Sequence, residues 1–316
     1  MIRTSSPKPA HNRIFSRKRL KLDAPLYAML ALPVLFLFVF NYIPLFGTVI
    51  AFEKYLPAKG IFASKWVGWK NFETLFFMPG FTRALKNTVT ISLWKIVLGI
   101  IVPVTFTIML NEIRSKWVKR GVQTLIYLPH FVSWVLLSGI FIRLLSNSGP
   151  MNKLLGLMGV GPISFLGDNN WFQPTIIATH IWKEFGYGTI VYLAAVSGVN
   201  EDLYEAAAID GAGHWKQMWH VTLPCITPII LLMTALSIGN VLNGGFDQVY
   251  NMYNNVVIES GDILDTLVYR IAFGTGQYGL SGAASLFKSI VSGVLIMVSY
   301  KAAYKLAHKF TGYRVF

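Results

Sequence analysis

Residues 205–224 read EAAAIDGAGHWKQMWHVTLP, and the interpretation of the whole chain starts from this stretch. Just before it, Asn200 is a candidate helix N-cap. Glu201 and Asp202 follow in the first turn, where the helix dipole favours negative charge. Alanines at the start of the quoted stretch are strong helix formers with little bulk. The sequence therefore predicts a short helix that ends close to Gly211.

Two glycines, Gly211 and Gly213, permit a tight turn after that helix. Bulky side chains then recur at helical spacing, and they are Trp215, Met218, Trp219 and Thr222. Leu223-Pro224 predicts a boundary before the next helix. A small exposed helix pair with bulky apolar tips fits a groove on another protein. Composition alone equally allows an amphipathic helix that lies on lipid.

The flanking sequence has the composition of a membrane protein. The 316 residues are 54% hydrophobic and only 13% charged, whereas an ordinary soluble domain is about 25% charged. This excludes a typical soluble enzyme and a disordered chain. In a membrane protein a net charge of +14 is explained by basic loops that contact anionic lipid headgroups. The expected partner of these basic residues is therefore the lipid bilayer, and no nucleic acid is expected. The single cysteine, Cys225, excludes an internal disulfide.

Six stretches have the roughly 20 mostly apolar residues that a helix needs to cross a bilayer. They are residues 26–52, 84–111, 121–146, 172–199, 222–246 and 285–308. The first apolar run is too long for a cleaved signal peptide, so we interpret it as an uncleaved span. The predicted fold class is an all-α integral membrane protein with about six transmembrane helices.

Lysine and arginine counts orient these spans, because cytoplasmic loops carry the excess. With the N-terminus inside, the inner segments carry 15 of these residues and the outer segments carry 7. We therefore expect a basic cytoplasmic segment at 1–24, a membrane domain at 25–310 and a cytoplasmic tail at 311–316. The quoted loop, about 200–222, also falls on the cytoplasmic side.

Two of the three outer segments between the spans have a distinctive composition. Residues 53–83 are rich in aromatic side chains, which favours anchoring at the membrane interface. Residues 247–284 are polar with one short apolar piece at 263–273, too short to span. We predict a long outer loop there, with a helix on its surface.

Polar residues inside a span usually face a cavity or a partner helix. In the fifth span such residues recur at about helical spacing, and they are Thr234, Ser237, Asn240, Asn243 and Asp247. In the fourth span they are His180, Lys183, Glu184 and Tyr187. Asparagine amides suit sugar hydroxyls, but hydrogen bonding between helices explains the same stripes.

Lys95 and Lys183 lie near the middle of their spans, where contact with lipid costs roughly 2.5–3.5 kcal/mol each. They should therefore face the cavity or an acidic partner. With Lys305 counted in the inner tail, the spans contain one acid, Glu184, and six bases, which are Lys86, Lys95, Arg143, Lys183, Lys288 and Lys301. One hypothesis is an electropositive pathway for anionic oligosaccharides such as uronates. The alternative is that these bases pair with acids of another subunit.

The chain shows no motif for catalysis. It has no Gly-Lys dipeptide and hence no usual phosphate-binding loop. It has neither His-Glu-x-x-His nor Gly-x-Ser-x-Gly, and its histidines lack metal-ligand spacing. An ion-coupled carrier is one alternative, disfavoured because Glu184 is the only acid within a span. A membrane scaffold that transports nothing is another, and it leaves the polar stripes unexplained.

The quoted stretch closely resembles the EAA loop of permease subunits in bacterial ATP-binding-cassette importers. That motif reads Glu-Ala-Ala, three residues, Gly, nine residues, an aliphatic residue, one residue and Leu-Pro. The matching positions are Glu205, Ala206, Ala207, Gly211, Val221, Leu223 and Pro224. Asp210, Ala212 and Trp215 match the fuller sugar-importer form, while Met218 stands at a common phenylalanine position.

The resemblance extends over roughly residues 25–306. Residues 66–72 (WVGWKNF) look like the outer-loop motif of sugar permeases. Residues 128–134 (LPHFVSW) and 239–243 (GNVLN) look like the subfamily that imports oligosaccharides and polysaccharide fragments. Within that subfamily the chain resembles the first permease of an alginate-type importer.

The resemblance implies the type I importer permease fold in a bacterial inner membrane, without chemistry or a cofactor on this chain. It implies a second homologous permease, two ATPase subunits that bind ATP and magnesium, and a solute-binding protein that delivers oligosaccharide. The loop would act as the coupling helix, with Glu205 paired to a basic ATPase side chain and Gly211 aiming the helix. Trp215 and Met218 would be apolar anchors. The family also uses the fifth span to line the pathway.

Overall fold

The computed structural model describes the backbone of residues 17–311 and the side chains of residues 23–305. The predicted basic segment up to residue 16 and the predicted tail from residue 312 lie outside the described residues. The chain divides into two compact units, Met1–Val49 and Ile50–Phe316.

The described part of the first unit, from residue 17 onward, is helical throughout. Helix α1 (Arg17–Leu37) continues through a π turn at Phe38–Tyr42 into a 3-10 helix at Ile43–Phe52. The stretch Asp23–Phe52 is long and apolar enough to cross a membrane, which agrees with the first predicted span. None of the residues in the most apolar part of this stretch is buried within the chain, so lipid or another protein has to cover it.

Four long helices form the body of the second unit. They are α4 (Pro79–Asn111), α8 (Asn169–Ser197), α11 (Leu223–Gly239) and α15 (Tyr278–Thr311). Helix α4 packs along α8, and α11 packs along α15. The helices at the second and sixth predicted spans are apolar enough to cross a membrane. Helix α8, with 29 residues, is also long enough to cross a membrane. Its polar side chains lower its hydropathy, so it is not among the helices apolar enough to be candidate spans.

The shorter elements connect these helices. They are α2 (Gly60–Ala63), α3 (Lys70–Phe77), α5 (Lys116–Tyr127), α6 (Trp134–Leu144), α7 (Pro150–Leu157), α9 (Glu201–Ile209), α10 (His214–Gln217), α12 (Phe246–Met252), α13 (Ile258–Gly261) and α14 (Leu264–Tyr269). Strands β1 (Glu53–Lys54) and β2 (Lys65–Trp66) pair antiparallel in the aromatic outer segment. There Phe72 and Phe81 are buried, while Trp66 and Phe62 remain exposed.

The third predicted span, 121–146, is not one straight helix. Helix α5 passes into a 3-10 turn at Leu128–Phe131, and α6 leaves at an angle of 101°. Pro129 lacks an N–H donor for a helix. Ser133 has extended backbone, and its side chain accepts a hydrogen bond from the Leu136 N–H to cap α6. Hydropathy alone does not reveal this bend.

The fifth predicted span, 222–246, is displaced toward the N-terminus. One helix runs over His214–Gly239, and Asn240 is its C-cap. Asn243 therefore lies in the following turn and Asp247 lies in α12. The prediction that these residues form a stripe on one helix is wrong. Glycines around the helix end, at 239, 244 and 245, favour its termination.

The prediction that 247–284 is a long loop with a surface helix at 263–273 is also wrong, while its place on the outer side stays a prediction. The segment folds into α12, a 3-10 turn at Asn255–Val257, α13, α14 and a π turn at Arg270–Gly274. Ile263, Leu264 and Leu267 are almost completely buried. Eleven apolar residues cannot span a bilayer, but neighbouring helices can still bury them, and that burial removes them from solvent.

Three larger clusters make most of the core of the second unit, and a smaller fourth one packs Ala51 and Phe72 against Ala283. In the first, Leu75, Phe81 and Leu280 enclose Leu264 and Leu267 of α14. The second joins α4 and α8 to α12, and its largest buried side chains are Ile91, Phe172, Ile176, Val249 and Ile263. The third, around Val104, Tyr192, Val196 and Ile226, joins α4, α8 and α11. Helix α8 therefore contributes to two of the three larger clusters.

Two glycines allow helices to approach closely. A Cβ atom on Gly186 of α8 would lie 1.9 Å from the Ile126 carbonyl oxygen of α5. A Cβ atom on Gly239 of α11 would lie 2.2 Å from Ile296 Cγ1 of α15. Both positions require glycine, as is common where membrane helices pack tightly.

Candidate coupling loop and substrate pathway

The loop at 200–222, called the coupling loop below, is built mainly by local interactions. The Asn200 side chain accepts a hydrogen bond from the Asp202 N–H at 3.1 Å and caps α9, as predicted. Gly211 has a φ of +75°, the left-handed conformation that favours glycine. The Gln217 side chain donates to the Ala212 carbonyl at 3.0 Å across the turn. The predicted helix–turn–helix is therefore present.

The outer side of the coupling loop is exposed. Glu205, Ala206, Asp210 and Gly211 are exposed, and Ala207 and Ala212 are half-buried. The side chains of Ile209 and Trp215 are 87% and 75% exposed. Within residues 23–305, Glu205 forms no ion pair. Among the described residues, Glu205, Asp210 and Trp215 are thus accessible to a partner, whereas Ala207, Ala212 and Met218 are partly covered by their own chain.

Leu223-Pro224 does not separate the loop from the next helix, which corrects the predicted boundary. The chain makes a π turn at Met218–Thr222 and continues directly into α11, where Pro224 stands in the first turn. Pro224 has no N–H to donate to the preceding turn, and it follows directly on the π turn, where the regular α-helical hydrogen bonding is already interrupted. The Tyr204 hydroxyl bonds to Thr222 Oγ1 at 2.9 Å and ties α9 to this turn.

An apolar groove of about 690 Å³ separates the end of α4 from the coupling loop. Its lining includes Ile101, Val104, Ile108, Trp215, Met218 and Trp219. His214 and Glu112 lie at its polar edge, with 3.8 Å between Nδ1 and Oε2. Met218 is half-buried against its own chain, so Trp215 is the more available of the two predicted anchors.

The polar residues predicted in the fourth span lie next to the bend between α5 and α6. His130 Nδ1 lies 2.6 Å from Glu184 Oε2, and Lys183 Nζ donates to Glu184 Oε1 at 3.0 Å. The same Nζ donates to the His130 carbonyl at 2.8 Å. The Tyr187 ring stacks on the His130 ring with 4.0 Å between centroids. Lys183 therefore does have an acidic partner, and it is its own neighbour in sequence.

This group, called the His130 cluster, includes His130 itself, for which the sequence analysis predicts no role. His130 lies in the LPHFVSW stretch, so the resemblance of that stretch was the available signal. Lys183 is 5% exposed, whereas the Tyr187 side chain is 47% exposed. His180 stacks on Trp134, and the Lys183 ammonium lies 5.5 Å from the Trp134 ring. The bend thus brings polar groups of two helices to a partly open surface.

Lys95 does not face an open cavity in this chain. Its Nζ donates to the Gly244 carbonyl at 2.9 Å and to Gln248 Oε1 at 2.8 Å. Gln248 in turn donates to the Ile176 carbonyl at 2.7 Å and to Thr179 Oγ1 at 2.9 Å. Lys95 therefore ties α4 to α12 through buried hydrogen bonds, and its predicted role in the pathway stays a prediction.

The residues predicted in the fifth span occupy three different settings. The Ser237 and Thr234 hydroxyls donate to carbonyls of their own helix. Asn240 and Asn243 are exposed, and the Asn243 side chain donates to Asn240 Oδ1 at 3.1 Å. Asp247 is exposed at the start of α12. Asn240, Asn243 and Asp247 are therefore accessible, although no single helix aligns them.

Two bases outside the His130 cluster have acidic partners in the 247–274 segment. Lys288 pairs with Asp265. Arg270 donates to both oxygens of the fully buried Asp262, at 3.0 Å and 2.6 Å. Hydrogen bonding to Asp262 raises the pKa of Arg270, and burial together with the Asp262 charge raises the pKa of Tyr253. The predicted excess of unpaired bases is therefore smaller than the sequence tally indicates.

Metal ligands are not clustered in the described side chains. Among residues 23–305, no group of three or more His, Cys, Asp or Glu side chains is arranged to hold a metal ion. The accessible chemistry of the two regions is hydrogen bonding, ring stacking and surface contact.

Comparison with known proteins gives a consistent picture. Residues 95–309 match the profile of the binding-protein-dependent transport system inner membrane component family. Protein LplB of Bacillus subtilis (strain 168) is 42% identical over 278 residues, covering 88% of this chain and 87% of that protein. The polygalacturonan/rhamnogalacturonan transport system permease protein YteP of the same organism is 41% identical, covering 90% of this chain and 89% of that protein.

Solved structures share the fold. One is a crystal structure of a bacterial alginate ABC transporter in complex with alginate pentasaccharide-bound periplasmic protein. Its matching chain has a TM-score of 0.84 and 35% identity, with 92% of this chain and 97% of that chain covered. A second structure, of a bacterial ABC transporter involved in the import of the acidic polysaccharide alginate, also has a TM-score of 0.84, with 36% identity and coverage of 91% and 98%.

Proposed function

The chain belongs to the family of binding-protein-dependent transport system inner membrane components, and on that premise we propose that it carries an acidic oligosaccharide across the membrane. It is a permease subunit of a carbohydrate ABC importer with the type I fold, and it is not an enzyme. In our proposal it forms the pathway together with a second permease and receives its substrate from a solute-binding protein. Separate ATPase subunits, which hold ATP and magnesium, drive the transport.

The similarity to transporters of acidic polysaccharides carries the substrate proposal. The alginate transporter chains match over nine tenths of this chain, and the YteP relative is named for polygalacturonan. The lysines contribute less than the sequence indicated, because Lys183 is paired with Glu184 and Lys95 is engaged with Gln248. Accessible polar groups at Asn240, Asn243 and Tyr187 suit the hydroxyls of a sugar.

The exposed coupling loop supports the proposed contact with an ATPase. Glu205, Ala206, Ala207, Asp210, Gly211 and Ala212 lie on or beside its exposed turn, followed by Trp215 and Met218. Leu223 and Pro224 join it directly to α11. In the proposed mechanism, closure of the ATPase subunits moves the loop and α11 together, and the pathway alternates between its two openings.

Lysine and arginine counts support the proposed orientation in the bacterial inner membrane. On these counts we propose that both termini and the coupling loop lie in the cytoplasm. An extracytoplasmic binding protein would then deliver sugar to the side opposite the coupling loop.

The test is the ATPase activity of the purified complex in liposomes, with its solute-binding protein and with matched galacturonate and glucose oligomers. Stronger stimulation by the galacturonate oligomers supports the proposal. Equal or stronger stimulation by glucose oligomers contradicts the acidic substrate. Unstimulated hydrolysis with every sugar contradicts carbohydrate import by this complex.

A further inference from the structure

The segment at 246–274 carries a row of aromatic side chains, of which Phe246 is half-buried and Tyr250, Tyr269 and Phe273 are exposed. Phe246 stacks on Tyr250 at 5.1 Å between ring centroids, and Tyr250 meets Tyr269 edge-on at 4.9 Å. Tyr269 contacts Phe273 at 5.0 Å and Phe246 at 5.5 Å. These four rings form one continuous surface, which we call the aromatic strip.

The two elements that carry the strip bury their aliphatic side chains and leave their aromatic side chains at the surface. Helix α12 buries Val249 and Met252 while it presents Phe246 and Tyr250. Helix α14 and the following π turn bury Leu267 and Ile271 but present Tyr269 and Phe273. Aliphatic side chains point inward and aromatic ones stay outside, although rings dominate the burial energy of most cores. Tyr250, Tyr269 and Phe273 remain 44%, 38% and 70% exposed.

The strip has a rigid support. On α12, Gln248 is buried and makes hydrogen bonds to Lys95, to the Ile176 carbonyl and to Thr179. At the start of α14, the Leu264 N–H donates to Thr88 Oγ1 at 2.8 Å, and Asp262 holds Arg270 on the next turn. Rings on such a support lose little conformational freedom when a ligand binds.

The strip starts at the end of the predicted pathway. Phe246 follows the turn that contains Asn243, and Asp247 is its exposed neighbour in sequence. Amide and carboxylate groups that lie next to stacked rings combine hydrogen bonding with a flat apolar face. This is the chemistry that a sugar ring requires, because its hydroxyls lie at the rim and its C–H groups lie on its faces.

We propose that the aromatic strip binds the faces of successive sugar rings of the oligosaccharide. This inference rests on the proposed function and adds a subsite to it. The four rings carry no charge, and the guanidinium of Arg270 beside Tyr269 is engaged by Asp262, whereas the exposed Asp247 carboxylate lies beside Phe246. The strip therefore recognises ring faces and the number of rings, and it supplies no positive charge for an acidic sugar.

The experiment uses the reconstituted complex with galacturonate oligomers of two and five units. Tyr250→Ala and Phe273→Ala are compared with Tyr250→Phe, which keeps the ring, and with Phe62→Ala, which removes an exposed ring from the outer segment at 53–83. We expect both strip variants to lower the pentamer-stimulated ATPase activity at least fivefold, with a smaller loss for the dimer. Tyr250→Phe and Phe62→Ala should retain wild-type stimulation.

Copurification of the second permease is measured in parallel. Loss of that subunit in Tyr250→Ala overturns the proposal, because the strip is then an interface between permeases. Wild-type stimulation in both strip variants, or equal losses for dimer and pentamer, also overturns it while the proposed function stands. If the wild-type complex responds to no sugar, the proposed function fails and the subsite fails with it.

Discussion

In the sequence, the coupling loop precedes α11 and the 246–274 segment follows it. Local contacts stabilise the first, and contacts with distant helices stabilise the second. The coupling loop depends on short-range contacts such as the Asn200 cap and the Gln217–Ala212 hydrogen bond, and neither α9 nor α10 buries a residue. The 246–274 segment is tied to distant helices, for example by Asn87, whose side chain donates to the Asp262 carbonyl. Side chains in the loop are thus available to partners, whereas most polar side chains of the segment serve the fold.

Substitution of Asp262 should have the largest effect on stability. Asp262→Ala removes the partner of Arg270 and of the Thr266 hydroxyl at a fully buried position. Breaking a wholly buried pair costs roughly 3–5 kcal/mol, and we expect a cost near the lower end because the Arg270 side chain is 38% exposed to solvent. Thermal unfolding in detergent, followed by size-exclusion chromatography, should show a large fall in Tm. The exposed Glu259→Ala is the control. A Tm equal to that of the control would show that the pair contributes nothing to the fold.

Lys95→Met should come next. It leaves the Gly244 carbonyl and Gln248 Oε1 without their donor, at a cost of about 1–3 kcal/mol. The control is Lys86→Met, an exposed position on the same helix. The same unfolding assay is combined with sugar-stimulated ATPase activity. If Lys95→Met unfolds with the control yet loses stimulation, the lysine acts in the pathway and its role in the fold is contradicted.

Gly211→Ala should have a moderate effect that is confined to the loop. Nothing lies within 4 Å of the added Cβ atom, so the cost comes from the backbone conformation alone. That cost is about 1–2 kcal/mol for an L-residue in the left-handed region. Stimulated ATPase activity should fall several-fold with little change in Tm. Gly213→Ala, with a φ of −68° and equally open space, should behave as wild type. Equal activities of the two variants would contradict the proposed role of Gly211.

Glu205→Ala should change stability least. Its side chain is exposed and forms no ion pair among the described residues, so Tm should stay within the equivalent of about 0.5 kcal/mol. Copurification of the ATPase subunits and stimulated hydrolysis should both fall. Glu201→Ala, one turn earlier on the same helix, should leave both unchanged. A loss of Tm in Glu205→Ala would place this residue among those that serve the fold.

The sequence predicted the coupling loop well because its determinants are local. The Asn200 cap, the left-handed Gly211 and the two short helices follow from residues that are close in the chain. Apolar length likewise identified α1, α4 and α15, and the family resemblance identified the fold that the solved structures share.

The errors arose where distant residues decide the structure. The burial of 263–273 depends on Leu75, Phe81 and Leu280, which come from other parts of the chain. The bend at Pro129 was hidden because the stretch is apolar throughout, and the end of α11 at Gly239 was hidden because the polar residues continued at helical spacing. The pairing of Lys288 with Asp265 shows the same limit, since Asp265 lies outside the predicted spans.

The π turn at Met218–Thr222 also joins the coupling loop to α11 as one continuous helix. Because it joins α10 to α11 without a break, His214–Gly239 is a rod of 26 residues, about 39 Å long at 1.5 Å per residue. A push on Trp215 at one end therefore reaches the close contact between Gly239 and Ile296 at the other end. The rod also fixes an angle, since one inserted residue would rotate its tip by about 100° relative to α15. The number of residues between tip and contact thus sets the direction in which force arrives.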